Sequence, residues 1–277
     1  MDRPAFIPID DPDDPLVAAY RQIREADLVG REGCFIAEGE VVLRVLLTAS
    51  GHAPVSLLIA DKRIDRLAPL LALVPSDAPI YSAGQAVLDA VAGFHLHRGI
   101  LALARIAPPP SAEALLAALP PKALVMALFG IANHDNMGGL LRNAAAFGVQ
   151  AVLLDATCCD PLYRKAIRVS VGGALVMPLA RLAPGEDALA LLRRHALTPI
   201  ALTPRGQTRL IDLVPPPRAA LLLGAEGPGL DAALIEAATA VSIPMAPGFD
   251  SLNVATAAGV ALHHLAFGGG APRAPDQ

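Results

Sequence analysis

The sequence predicts an α/β protein of two domains, the second built on a mainly parallel sheet. Three observations carry this reading. Short apolar runs alternate with helical spacings along nearly the whole chain, which is βα repetition rather than a series of hairpins. Two strand-length runs near the C-terminus, 219–223 and 241–243, each end in a Gly/Pro loop with a helix predicted between them. Prolines at 108–110 and 120–121 bracket a short Ala/Leu segment and mark a linker, in a chain of 277 residues that is long enough for two ordinary domains.

Helical spacing over 16–28 opens the first domain and is stopped by Gly30 and Gly33. Strands are predicted at 34–37, 55–60, 79–82 and 100–105, with helices at 40–49, 64–73 and 85–91. After the linker come strands at 123–129, 151–154, 175–179 and 199–202, alternating with helices at 138–147, 162–170 and 187–196. Strand 219–223, helix 231–240 and strand 241–243 follow, and Ser251 sits where the N-cap of a final helix belongs. The expected organisation is an acidic extension without assignable role (1–14), a first domain (15–106), a Pro-rich linker (107–121), a second domain (122–268) and a flexible tail (269–277).

Composition narrows the class. The chain is 54% hydrophobic, yet no uninterrupted apolar run reaches the ~18 residues of a membrane span. The nearest approach, 254–267, contains Thr256, His263 and His264. The N-terminus lacks a signal-peptide core. Cys34, Cys158 and Cys159 form no C-x-x-C pair and no ligand cluster, so the adjacent pair reads as small buried hydrophobes. A cytoplasmic, reduced, metal-free protein without membrane contact is expected. The net charge of -4 is contributed entirely by the first fourteen residues, and 21 basic and 21 acidic residues remain beyond them. That balance argues against a large non-specific polyanion binder but leaves room for a basic face.

Both C-terminal loops should open at the carboxyl edge of a parallel sheet, where α/β proteins bind ligands. They hold neither G-x-G-x-x-G nor G-x-x-x-x-G-K-[ST], so a nucleotide pyrophosphate and a Rossmann oxidoreductase are disfavoured. The junction after 123–129 is the other informative place. Asn133, Asp135 and Asn136 are all competent caps, Gly138 and Gly139 let a backbone approach a ligand at the helix start, and Arg142 follows about one turn later. Taken alone, that junction reads more readily as a cap, a packing glycine and a surface charge than as a ligand site.

Together the motifs resemble the SpoU/TrmH branch of the SPOUT RNA methyltransferases. The resemblance rests on Asn136-x-Gly138-x-x-x-Arg142-Asn143, on Gly224 to Leu230 (GAEGPGL), and on Ile243-Pro244-Met245 with Ser251-Leu252-Asn253. Arg168, Ser170 and Gly172 in the segment between them match that family's R-x-S-x-G. FIAEGEVVLRVLL (35–47) and HRGILALA (97–104) resemble the L30e-like substrate-binding domain often fused before it. The resemblance implies a C-terminal trefoil knot, S-adenosylmethionine held by the knot loops, and a homodimer in which each site is completed by the partner. It also implies methyl transfer to a ribose 2′-hydroxyl of structured rRNA or tRNA.

By the same resemblance Arg142, Asn136, Ser251, Asn253 and Glu226 are catalytic positions, and Gly224, Glu226, Gly229, Ile243, Met245 and Leu252 hold the cofactor. Arg21, Arg24, Arg31 and Arg168 are assigned to RNA. Arginine is a poor general base, so Arg142 is expected to fix a phosphate and stabilise the developing 2′-oxyanion. Two other readings stay open: a knotted RNA-binding or assembly protein without turnover, and a SPOUT base methyltransferase, which the S-L-N after I-P-M disfavours.

Overall fold

The computed structural model describes residues 5–21, 25–248 and 251–268. Its elements run β1 (Phe6–Ile9), a 3-10 helix (Pro15–Tyr20), α1 (Glu25–Gly30), β2 (Cys34–Glu38), α2 (Glu40–Thr48), β3 (Ala53–Ala60), α3 (Ile64–Leu71), β4 (Ile80–Ala83), α4 (Gln85–Ala92), β5 (Ile100–Arg105) and α5 (Ala112–Ala117). They continue with β6 (Ala123–Leu128), α6 (His134–Ala146), β7 (Ala151–Leu154), α7 (Arg164–Val169), α8 (Gly173–Val176), β8 (Leu179–Arg181) and α9 (Ala188–Arg194). Last come β9 (Thr198–Leu202), β10 (Thr208–Arg209), β11 (Arg218–Leu223), α10 (Ala232–Glu236), β12 (Thr239–Ser242) and α11 (Val254–Phe267). Contacts divide the chain into two units. One is the chain up to Pro108 together with Pro161–Val176, and the other is Pro109–Asp160 and the chain from Met177 onward.

The first unit is built on a mixed sheet of order β1-β4-β3-β5-β2, in which β1, β4 and β3 run parallel and β5 runs antiparallel to β3 and β2. The expected extension 1–14 is corrected here: Phe6–Ile9 is a strand paired with β4, and Ile9 is buried in the core. The continuous helix expected over 16–28 is corrected too. Asp14 accepts from the Leu16 N–H and Pro15 follows it, which starts a tight 3-10 helix that buries Val17 and Tyr20 three residues apart. The Tyr20 hydroxyl bonds the Ser56 hydroxyl at 2.7 Å, and burial pushes its pKa up. Pro161–Val176 also belongs to this unit, so it interrupts the stretch 122–268 expected as one domain. Inside it, the Ser170 hydroxyl accepts from the Ala174 N–H and starts the one-turn α8, where a strand was expected over 175–179; the strand comes later, as β8.

The second unit carries a seven-stranded sheet of order β10-β12-β9-β11-β6-β7-β8, parallel throughout. β6 and β7 are buried along their whole length and β11 all but its first residue. Burial on both faces is why these strands read as unbroken apolar runs rather than alternating ones. The order places the C-terminal ends of β9, β11 and β12 side by side. The helix expected over 231–240 is only Ala232–Glu236, because Thr239 and Ala240 are drawn into β12 beside β9.

α6 begins at His134, one turn ahead of the expected start at 138, because Asn133 is its cap and accepts from the Asp135 and Asn136 N–H groups. Gly138 and Gly139 therefore lie inside the helix rather than at its ligand-facing start. A Cβ on Gly139 would come 2.8 Å from the Ala255 methyl, so this glycine lets α11 pack closely on α6. One turn on, Asn143 Nδ2 donates to the Ala255 carbonyl at 2.6 Å. Cys158 is buried and Cys159 half-buried; desolvation pushes their thiols up to about 12 and about 11. Among the described residues no helix is long and apolar enough to cross a membrane, and no group of three or more His, Cys, Asp or Glu could hold a metal.

Two measurements test this packing. Gly139→Ala should cost about 1–3 kcal/mol in urea unfolding by overpacking, and Ala255→Gly in the same chain should recover most of that loss. Neither Cys158 nor Cys159 should react with an alkylating probe at pH 8 in the folded protein, because the thiolate is the reactive form; rapid labelling without unfolding would contradict the burial described.

Candidate active site

The carboxyl edge of the second unit's sheet opens into a cavity of about 430 Å³. Its floor is Leu202, Thr203 and Pro204 after β9, and one wall is the glycine loop after β11. The other wall is Ile243, Met245 and Ser251 to Val254, between β12 and α11. All six positions assigned to the cofactor, Gly224, Glu226, Gly229, Ile243, Met245 and Leu252, line this cavity.

The glycine loop is shaped by close backbone approach. A Cβ on Gly224 would overlap the Gly229 carbonyl and the Leu230 nitrogen, so only glycine fits there. The loop folds back through the Gly229 N–H to the Ala225 carbonyl at 3.0 Å, with Gly227 and Gly229 in the left-handed region at φ 90° and 73°. Backbone N–H and C=O groups thereby reach the cavity without intervening side chains.

Ser251 sits where an N-cap belongs, but of Ser251 and Asn253, both of which the sequence allows as caps, the structure uses the second. Asn253 is the cap: its Oδ1 accepts from the Ala255 and Thr256 N–H groups at 3.0 and 3.3 Å. Its Nδ2 donates to Asn136 Oδ1 at 2.8 Å and to Glu226 Oε1 at 3.1 Å. Three motifs far apart in sequence thus meet on one carboxamide. Asn136 is buried, so this bond also satisfies its side-chain oxygen. Ser251 is exposed and lines the cavity beside Leu252.

Other assigned residues lie apart from this cluster. Arg142 is exposed on α6 and is not among the residues lining the cavity. Arg21 is paired with Asp13 at 2.6 Å, and Arg31 is exposed just after α1. Arg168 faces Glu38 at 3.7 Å in the first unit, and Arg24 lies outside the described residues. The sequence reading missed Thr203 and Pro204. Their signal was the end of an apolar strand, but only the sheet order, with β9 beside β11, shows that this end faces the glycine loop.

The sequence pattern of the SpoU rRNA Methylase family matches residues 123–263, just over half the chain. The chain belongs to that family. An uncharacterized tRNA/rRNA methyltransferase of Mycobacterium bovis is 42% identical to it, over 91% of this chain and 89% of that protein. Among solved structures, an AdoMet-bound rRNA methyltransferase from Sinorhizobium meliloti is similar in fold, with a TM-score of 0.79 and 20% identity over 94% of this chain and 97% of that one. An RNA 2′-O ribose methyltransferase shares the fold with a TM-score of 0.75 and 24% identity, over 94% of this chain and 98% of that one. Both structural likenesses run through most of the chain, the stretch before residue 123 included.

Asn253→Ala removes a helix cap, worth ~1 kcal/mol, and strands the buried Asn136 oxygen, at ~1–3 kcal/mol. A loss of about 2–4 kcal/mol in denaturant unfolding is expected from those two terms. Glu226→Gln keeps an oxygen acceptor for Asn253 and should cost less than about 1 kcal/mol. Equal losses in the two variants would contradict the network described.

Proposed function

We propose that the protein methylates a ribose 2′-hydroxyl in structured rRNA or tRNA, with S-adenosylmethionine as donor, and acts as a homodimer with a knotted C-terminal segment. The observation that carries this is the cavity at the sheet edge, lined by Glu226 and Asn253 of the Asn136–Asn253–Glu226 network. The cavity residues suit the donor. Leu202, Ile243, Met245 and Leu252 offer apolar faces for an adenine, and the glycine loop offers bare backbone donors and acceptors for a nucleoside. Among the described residues no lysine or arginine lines the cavity, which argues against a pyrophosphate, while the carboxylate of Glu226 in its lining is complementary to a sulfonium.

When bound, the donor supplies an electrophilic methyl group. The chain's part is to place a 2′-oxygen against it and ease the loss of the hydroxyl proton. Ser251, exposed at the cavity edge, is positioned to hydrogen-bond that hydroxyl. The Asn253 carboxamide is fully committed to its cap and its two neighbours, so its contribution is to hold Ser251, Leu252 and Glu226 in place. Arg142 is the candidate for the charge that stabilises the oxyanion and grips the adjacent phosphate; its guanidinium stays protonated and does not serve as the base.

Because Arg142 stands off the cavity, we assign it to the site of a second copy. α11 presents Val260, His263 and Phe267 outward, and Phe147 at the end of α6 adds its ring to His263 at 5.8 Å between centroids. Val260 and Phe267 are each over two-fifths exposed, an apolar stripe that a partner helix would cover.

Purified protein, total RNA and methyl-labelled donor should yield label in 2′-O-methylnucleosides after digestion; label on a base would replace this reading with base methylation, and no transfer despite donor binding would favour the silent binding protein. Arg142→Ala should lower turnover about 10²- to 10³-fold while donor binding by calorimetry is unchanged. Val260→Arg should give a monomer by light scattering and lose transfer, and a fully active monomer would sink the shared-site arrangement.

A further inference from the structure

The loops at the carboxyl edge of the second unit's sheet lean on one another in a row, and the row begins at Arg181. This residue ends β8, in register with Leu154 at the end of β7. Its Nη1 donates to the Asp155 carbonyl at 2.8 Å and to the Cys158 carbonyl at 3.0 Å, and its Nη2 lies 4.0 Å from the Asp160 carboxylate. One guanidinium therefore spans the loop that follows β7. The Asp155 carboxylate fastens the same loop a second time. Its Oδ1 accepts from the Thr157 and Cys158 N–H groups at 3.0 and 2.8 Å, and its Oδ2 from the Thr157 hydroxyl at 2.7 Å. Burial works to raise the Asp155 pKa, but the hydrogen bonds from Thr157, the Gly130 backbone and Cys158 outweigh it and hold the carboxyl below its usual range.

That loop grips the next one. Cys158 Sγ accepts from the Ile131 N–H at 3.3 Å and donates to the Leu128 carbonyl at 3.4 Å. The Cys159 N–H donates to the Ile131 carbonyl at 2.8 Å. Both backbone groups of Ile131, which is itself buried, are thus taken by the loop after β7. Gly130 sits between its two neighbours at a φ of +68°: a Cβ there would come 3.3 Å from the Ala225 methyl of the glycine loop and 3.8 Å from Thr157 Oγ1. Two residues beyond Ile131, Asn133 caps α6, and Asn136 follows in the first turn with its oxygen on Asn253.

Arg181, Asp155, Cys158 and Ile131 do not line the cavity. They bear on the site through Asn136, because the loop after β6 delivers the start of α6 and with it the approach of Asn136 to Asn253. Two N–H groups on one planar nitrogen, aimed at two carbonyls, fix the separation of those carbonyls in a way that a single hydroxyl donor would not. The Arg181 side chain is only 38% exposed and its Nη1 is engaged by the loop, so its work is internal to the fold.

We infer that Arg181 is a positioning residue for methyl transfer. It sets the loop after β7, which sets the loop after β6 and so the meeting of Asn136, Asn253 and Glu226 at the cavity. The inference rests on the reading of the protein as an RNA 2′-O-methyltransferase.

The sequence supplies a direct readout. The chain has four asparagines, Asn133, Asn136, Asn143 and Asn253, and all of them take part in the capping and contact of α6 and α11. Isotope labelling of asparagine alone in the full chain therefore gives a magnetic-resonance spectrum whose side-chain amides report this network. Arg181→Gln should shift the Asn133, Asn136 and Asn253 signals and move Asn143, held by the Ala255 carbonyl, least. Single-turnover transfer to bulk rRNA and tRNA at saturating donor should fall about 10²-fold, with donor affinity by calorimetry unchanged. Cys158→Ala breaks the row one loop further in and should give the same pattern, while Cys158→Ser keeps a donor and an acceptor and should recover most of the transfer. Should Arg181→Gln not fold, Arg181→Lys keeps the cation without the planar fork and should show the same shifts in smaller degree; an unshifted spectrum there would overturn the assignment. Wild-type spectrum and turnover in Arg181→Gln would overturn it too, as would lost turnover with unshifted asparagines. A salt slope of RNA binding lowered by about 1 would make Arg181 a phosphate contact instead. An unsubstituted protein that binds donor and transfers nothing to RNA would sink the enzyme reading together with this role, whereas an active enzyme indifferent to Arg181 would sink the role alone.

Discussion

One carboxamide carries more of this structure than its size suggests. Asn253 has two donor and two acceptor positions, and all four are used: two cap α11, one holds Asn136 and one holds Glu226. Between β12 and α11 the described residues, 243–248 and 251–253, have no regular structure of their own, so this cap is what anchors them at the α11 end. A cavity wall made that way is only as well placed as its anchor. The close contact of α6 with α11, through Gly139 and Asn143, fixes the anchor in turn by keeping Asn136 opposite Asn253.

What could be read from the sequence follows from how local each signal is. β5 and β7 have the bounds that apolar runs predict, since strands buried on both faces leave no ambiguity of period. The ligand edge was legible because Gly/Pro loops end β11 and follow β12. The choice of cap was not. Ser251 and Asn253 are both good caps by residue type, and the decision comes from Asn136 and Glu226, more than a hundred and nearly thirty residues away. Gly139 similarly looks like a ligand-facing glycine until Ala255 is seen against it. Thr203 and Pro204 needed the order of strands, and the docking of Pro161–Val176 with the first unit needed the Glu38 carboxylate, neither of which a linear pattern encodes.

Net charge was a poor guide for a related reason. It sums over a chain that sorts its charges: aspartates crowd the first fourteen residues, while arginines gather around Glu38 and Glu40. A ligand responds to the field a few ångströms from it, since salt screens exposed charges within ~10 Å. A chain of net charge -4 can therefore hold neighbourhoods of either sign, and the sum predicts none of them.

β1 has a consequence for how the first unit behaves in company. β4 is buried along all four residues, and β1 covers what would otherwise be its open side. The covering strand is itself short and contains Pro8, which lacks a backbone donor. Sheets recruit foreign strands through long rows of free N–H and C=O groups, and a four-residue edge interrupted by proline offers a poor template. Phe6–Ile9 thus acts as a selvedge on the sheet: it finishes the weave on that side and discourages another chain from being stitched onto it.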